Sequence, residues 1–136
     1  MKDASYAEAQ HLAERVRDTM LATDRVAQTL GMQVSAISPG HASVTMVVRE
    51  DMLNGFGSCH GGLLATLADM AFAYACNSYN EMTVASGFDV DLLGPGKLGE
   101  TLTADARVVS QGARIGVYDI TVTNTSGERI AVDAEV

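Results

Sequence analysis

Between Asp51 and Glu81 the chain carries one formally charged side chain, Asp69, set inside the apolar run from Gly61 to Cys76. Removing a lone carboxylate from water is costly, so it must be paired, neutralised or placed at the edge of a cavity. A carboxylate held in that way can attack a carbonyl carbon or take a proton from water. A purely structural role, with Asp69 hydrogen-bonded to backbone or to a hydroxyl such as that of Thr66, is the alternative on residue type alone. Just upstream stands Ser58-Cys59-His60-Gly61-Gly62. If these glycines open a helix, its first N–H groups lack internal partners and lie at the positive end of the dipole. Glycine puts no side chain over those donors, so an acyl oxygen that turns negative in a transition state could approach them. The same residues would also make an ordinary tight turn.

Spacing limits how these groups could cooperate. Gly61 and Asp69 are eight residues apart, roughly 12 Å along one helix at about 1.5 Å per residue. A donor and a nucleophile acting on one carbonyl must each lie about 3 Å from it. One chain is therefore not expected to supply both. Two antiparallel helices in a homodimer would solve the problem, pairing Asp69 with Gly61 of the partner subunit and giving two equal sites by symmetry.

The elements that must position these residues follow from pattern. Residues 3–31 read as one or two helices, with Ala9, Leu12, Ala13 and Val16, then Met20 and Leu21, at helical spacing. Thr23 or Asp24 could cap the second and Gly31 close it. Residues 32–50 read as a hairpin around Ser38-Pro39-Gly40-His41, with Val44, Met46 and Val48 on one face. Asp51 to Ser58 is a loop. From about Cys59 to Asn77 the chain is apolar on all sides, the mark of a buried helix. Four strands follow. Val84, Ser86, Phe88, Val90 and Leu92 share a face of the first; Leu102, Ala104, Ala106 and Val108 share one of the second. Ile115 to Asn124 form the third, and Ile130, Val132, Ala134 and Val136 alternate along the fourth. Helix, two strands, buried helix, four strands is an α+β pattern with a mostly antiparallel sheet that must wrap the helix. No repeat or linker divides the chain, so residues 1–136 are expected to form one domain.

The run Asn54-x-x-Gly57-x-x-His60-Gly61-Gly62-x-x-x-x-Leu67-x-Asp69 resembles the signature of hotdog-fold acyl-CoA thioesterases. Met52-Leu53-Asn54-Gly55, Ala71 to Ser78, Glu100 to Ala104 and Gly116 to Ile120 are similar to the thioesterases of phenylacetate degradation, and the likeness covers roughly residues 30–136. The resemblance implies a hotdog subunit, a dimer commonly paired into a homotetramer, and hydrolysis of phenylacetyl-CoA or hydroxyphenylacetyl-CoA. Carried over by motif, Asp69 would be nucleophile or general base and the Gly61 N–H would polarise the thioester carbonyl. Asn54 and His60 would position thioester or water, and Gly62 would line the substrate. In such relatives an Arg often precedes the Pro-Gly after the first long strand. Here Gly94 precedes Pro95-Gly96, leaving Lys97 or Arg114 as candidates for the basic contact to CoA. A hotdog enoyl-thioester hydratase and a non-catalytic acyl-CoA-binding regulator are the alternative functions.

Composition narrows the classes further. A formal charge of -8 opposes broad nucleic-acid binding, which needs clustered cations on phosphates. Cys59 and Cys76 have no zinc-ligand spacing and are expected to be reduced thiols. No cofactor is implied, because no dinucleotide fingerprint and no cluster of metal ligands is present. The polar stretch Met1 to Arg17 has no apolar signal region, and no run reaches the length of a membrane span, so a cytoplasmic protein is expected.

Overall fold

The computed structural model describes residues 4–136. Helices α1 (Ala4–Thr23) and α2 (Arg25–Leu30) lead into strands β1 (Gln33–Ser38) and β2 (His41–Val47). A single 3-10 turn (Glu50–Met52) precedes helix α3 (Gly61–Asn77). Strands β3 (Phe88–Leu92), β4 (Thr101–Gln111), β5 (Gly116–Thr123) and β6 (Arg129–Glu135) complete the chain. The predicted start of the first helix at residue 3 falls outside the described residues. The six strands form one antiparallel sheet in the order β1-β2-β4-β5-β6-β3.

The composition of α3 explains its place. Alanine, leucine and methionine favour helix, and they leave it apolar on most sides. Leu64, Leu67, Ala68, Ala71, Tyr74 and Ala75 are buried. They form one core with Val44 and Met46 of β2, Leu102, Ala104 and Ala106 of β4, and Ile120 and Val122 of β5. The helix ends at Ser78, whose hydroxyl donates to the Ala75 carbonyl (2.6 Å) and accepts from the Gly40 N–H in the β1–β2 turn (2.8 Å). That contact fixes the far end of α3 to the hairpin.

Of the two proposed caps for α2, Asp24 does the work. One carboxylate oxygen accepts from the Ala27 N–H (3.1 Å) and the other accepts from the buried Tyr74 hydroxyl (3.0 Å). The first helical layer is thereby tied to the last turn of α3. Gly31 closes α2 in the left-handed region, φ 66°.

Two strands depart from the sequence pattern. The first post-helix strand begins only at Phe88; residues 81–87 are irregular, although Ser86 and Gly87 still exchange backbone hydrogen bonds with Val136. In β6 the apolar alternation points the wrong way. Val122 pairs with Ala131 but Thr123 pairs with Arg129, so Ile130 is an extra residue, a bulge. A shift of one residue exchanges the two faces of a strand. Beyond the bulge Ala131, Asp133 and Glu135 point inward and are buried, while Ala134 and Val136 are exposed.

The sheet edges are treated unequally. At β1 the Gln10 side chain of α1 donates to the Ile37 carbonyl (2.8 Å), covering that edge. At β3, Phe88 and Leu92 are both more than half exposed.

Asp24→Ala should destabilise the fold by about 2–3 kcal/mol, because it removes a helix cap and strands a buried hydroxyl. Tyr74→Phe keeps the cap and should cost about 1 kcal/mol. Urea denaturation of both variants checks the order; equal losses would remove the double role of Asp24.

Candidate active site

The start of α3 is built by three neighbouring segments. The His60 N–H donates to the Met52 carbonyl (2.9 Å) and the Cys59 N–H to the Gly96 carbonyl (2.8 Å). Bridges join Leu53 to Cys59 and Ser58 to Lys97. His60 is the N-terminal cap residue and makes no side-chain cap, so its ring is exposed beside the helix start. Its carbonyl takes the N–H groups of Leu63 and Leu64. Among the described residues nothing accepts from the N–H of Gly61 or Gly62. These are the open donors the motif suggested.

The two glycines differ. A Cβ on Gly61 would lie 2.5 Å from Leu92 Cδ1, whereas a Cβ on Gly62 would meet nothing within 4 Å. A Cβ at 61 would have to displace the end of the exposed Leu92 side chain; glycine at 62 leaves open space above the donors.

Asn54 is largely consumed by its own loop. Its Oδ1 accepts from the Phe56 N–H (2.9 Å) and the Ser58 N–H (3.2 Å), the turn role expected of an Asn before Gly55. Among the described residues nothing accepts from its amide N–H groups. Lys97 is exposed on the segment bridged to Ser58, with its backbone N–H on Glu100 (2.7 Å). Arg114 is not brought to this place. It lies beyond Gln111 at the opposite end of β4, roughly 33 Å from the Lys97 end at about 3.3 Å per strand residue.

Asp69 sits two turns along the uninterrupted α3 and is half-buried. The suggested partner Thr66 is taken, since its hydroxyl donates to the Gly62 carbonyl (2.9 Å). Asp69 instead faces two carboxyls that the sequence reading missed, Asp133 and Glu135 on the inner face of β6. They are 5% and 1% exposed. Burial, then the hydrogen bond and charge of Asp69, push Glu135 from an ordinary 4.5 up to about 9. Burial and the charge of Asp69 raise Asp133 from 3.8 to about 6. Two acidic residues spaced i, i+2 in a strand share one face, and that was the available signal; the bulge at Ile130 concealed which face.

Other features lie apart. His41 Nε2 is 2.7 Å from Asp105 Oδ1 and its Nδ1 is 3.4 Å from Ser38 Oγ. This grouping is on the sheet face away from α3, where it clamps β1, β2 and β4 together. The cysteines are free and buried, and burial raises both thiols. A groove of about 590 Å³ between α1 and the segment after α3 is lined by Leu12, Met20 and Met82, not by Asp69. No described helix is long and apolar enough to cross a membrane.

A sheet curled on one apolar helix, with a carboxylate mid-helix and open N–H groups at its start, is the arrangement of a hotdog thioesterase. The chain belongs to the thioesterase superfamily, whose model matches residues 56–131. It is 47% identical over 122 residues to the acyl-coenzyme A thioesterase PaaI of Escherichia coli, covering 90% of this chain and 87% of that one. The structure of E. coli PaaI, from the phenylacetic acid degradation operon, superposes with a TM-score of 0.91 at 45% identity, over 93% of this chain and 91% of that one. A Streptococcus mutans protein bound to acetyl CoA superposes with a TM-score of 0.74 at 33% identity, over 76% of this chain and 84% of that one.

Between pH 4.5 and about 9 the folded state holds a proton on Glu135 that the unfolded chain releases. Stability therefore falls as pH rises through that window. Glu135→Gln should flatten the slope, raising stability by roughly 2–4 kcal/mol at pH 7.5 and by nothing below pH 4.5. Chemical denaturation at the two pH values measures it. At the helix start, Gly62→Ala should be neutral or stabilising by up to about 1 kcal/mol, while Gly61→Ala should gain less, because its Cβ must first displace the exposed Leu92 side chain.

Proposed function

We propose that this protein hydrolyses acyl-CoA thioesters in the cytoplasm to free acid and CoA, with phenylacetyl-CoA or hydroxyphenylacetyl-CoA as substrate. The observation that carries this reading is Asp69, the one charged side chain of an apolar helix that begins on open N–H donors. The name and operon of E. coli PaaI support the acyl group, and the acetyl CoA in the S. mutans protein supports the thioester class.

The site is shared between two subunits. Because α3 is continuous, Gly61 and Asp69 stay roughly 12 Å apart in one chain, too far to serve one carbonyl. The uncovered edge of β3, with exposed Phe88 and Leu92, is the surface that pairs with a second copy, and such dimers associate into a tetramer. The N–H of Gly61 then polarises a thioester attacked with the help of Asp69 of the partner subunit, and the Gly62 N–H lies beside the same oxygen. The Asn54 amide and the His60 ring position the thioester or the water, and Lys97 meets the CoA phosphates. Asp69 either attacks the acyl carbon, giving an anhydride that water opens, or deprotonates the attacking water. In both routes the C–S bond breaks, and the CoA thiolate leaves and takes up a proton released by the water. The oxygen completing the acid comes from water directly or, if water opens the anhydride at the Asp69 carboxyl, from Asp69 with water replacing it. Arg114, at the other end of the sheet, has no place in this scheme from the same subunit.

Asp69→Asn should lower kcat at least about 100-fold with KM changed only a few-fold. A panel of acyl-CoA substrates read by thiol release should favour hydroxyphenylacetyl-CoA over linear acyl groups. Normal turnover by the Asn variant would overturn the assignment. Sedimentation should give a dimer or tetramer, with activity per chain falling on dilution to monomer.

A further inference from the structure

Asp69, Phe72, Ala73 and Cys76 form one stripe of α3. The stripe faces the inner side of β5 and β6, since the Phe72 ring meets Tyr118 edge-on with centroids 5.3 Å apart. Tyr118 is paired in register with Glu135, and Ile120 with Asp133. Glu135 is thus set between the helix and its neighbouring strand, close enough to Asp69 and Asp133 for their charges to act on it. The four oxygens of Asp133 and Glu135 are fully buried and find no donor among the described residues. Two carboxyls can hydrogen-bond to each other only if one of them carries a proton.

We propose that Glu135 is a positioning residue for Asp69: a sealed carboxylic acid whose proton bridges to one oxygen of Asp69 and fixes the direction of the other. The inference rests on the thioesterase reading for its catalytic consequence, and on the geometry of β6 for its existence. The groups facing Glu135 are Asp69 and Cys76 from α3, Asp133 on its own strand and Tyr118 from β5, while Asp89 on β3 acts on Asp133. None of these is a cation, so a proton is the species that relieves the crowding of acids. With that proton in place, the bridged Asp69 oxygen is held and its second oxygen keeps its lone pairs for the acyl carbon or the water. Without it, carboxylates face each other and Asp69 is driven off line, a displacement that near-attack geometry does not tolerate. Glu135 releases the proton near pH 9, so the bridge is intact at neutral pH and opens in alkali.

The experiment compares wild type, Glu135→Gln, Glu135→Ala and Asp69→Asn, with circular dichroism confirming the fold of each. In wild type kcat should fall as pH rises through about 9. The Gln amide donates at every pH, so that variant should keep activity within about threefold of wild type at pH 7 and lose the alkaline limb. The Ala variant should lose roughly 10- to 100-fold in kcat with little change in KM. Infrared spectroscopy should show a protonated carboxyl band at pH 7 that is missing in Glu135→Gln. In Asp69→Asn its disappearance should shift to lower pH. Identical pH profiles for wild type and the Gln variant, or no acid band, would overturn the proposal. Turnover without the acid band would leave the thioesterase reading standing alone; the acid band with its shift, but no turnover, would sink that reading and keep the bridge.

Discussion

A helix that is apolar on nearly every side cannot rest in water, and α3 imposes that constraint on the rest of the chain. Its burial is worth most where the sheet can close around it. Strands β2, β4 and β5 supply small or branched residues, Val44, Ala104, Ala106, Val122, that let the sheet come near. The helix is then held at both ends, by Ser78 on the hairpin turn and by the Cys59 and His60 N–H groups on neighbouring loops. In its last turn, Tyr74 and Asp24 fasten the N-terminal helices to it. A carboxylate placed on such a member inherits its rigidity, which suits the role proposed for Asp69.

Much of this was legible in the residues. The order of elements, the central helix, the hairpin turn at Ser38 to His41 and a cap at Thr23 or Asp24 all come from local signals of period, glycine and side-chain oxygen. Sequence motif also located Asp69 and the open helix start. What periodicity could not supply was the pairing of distant strands. The bulge at Ile130 lies where β6 pairs with β5, and it decides whether the acids of β6 or Val132 and Ala134 turn inward. The strand from Leu102 to Val108 already separates Lys97 from Arg114 in the sequence, and β4 carries Arg114 to the far end. Thr66 looked like a partner for Asp69, but a hydroxyl in a helix reaches back one turn to a carbonyl more readily than along to a carboxylate.

The trio of acids shows a site and a core in competition. Sealing Glu135 beside Asp69 and Asp133 works against the folded state at neutral pH, and the surrounding apolar packing must offset it. Such local conflict is tolerated where it serves chemistry. On their own, Asp133 and Glu135 would be poor choices for an inward face; in the role proposed for Glu135, its proton turns one of these liabilities into a support for Asp69.

The extra residue at Ile130 has one more consequence. It sets the parity of the strand that follows it. Deleting a single residue there would turn Asp133 and Glu135 out to solvent and bring Val132 and Ala134 into the core, giving a greasier and sturdier subunit whose Asp69 had lost its neighbours. The polarity of this interior is therefore encoded less by which amino acids β6 contains than by one miscount in how it is laid against β5.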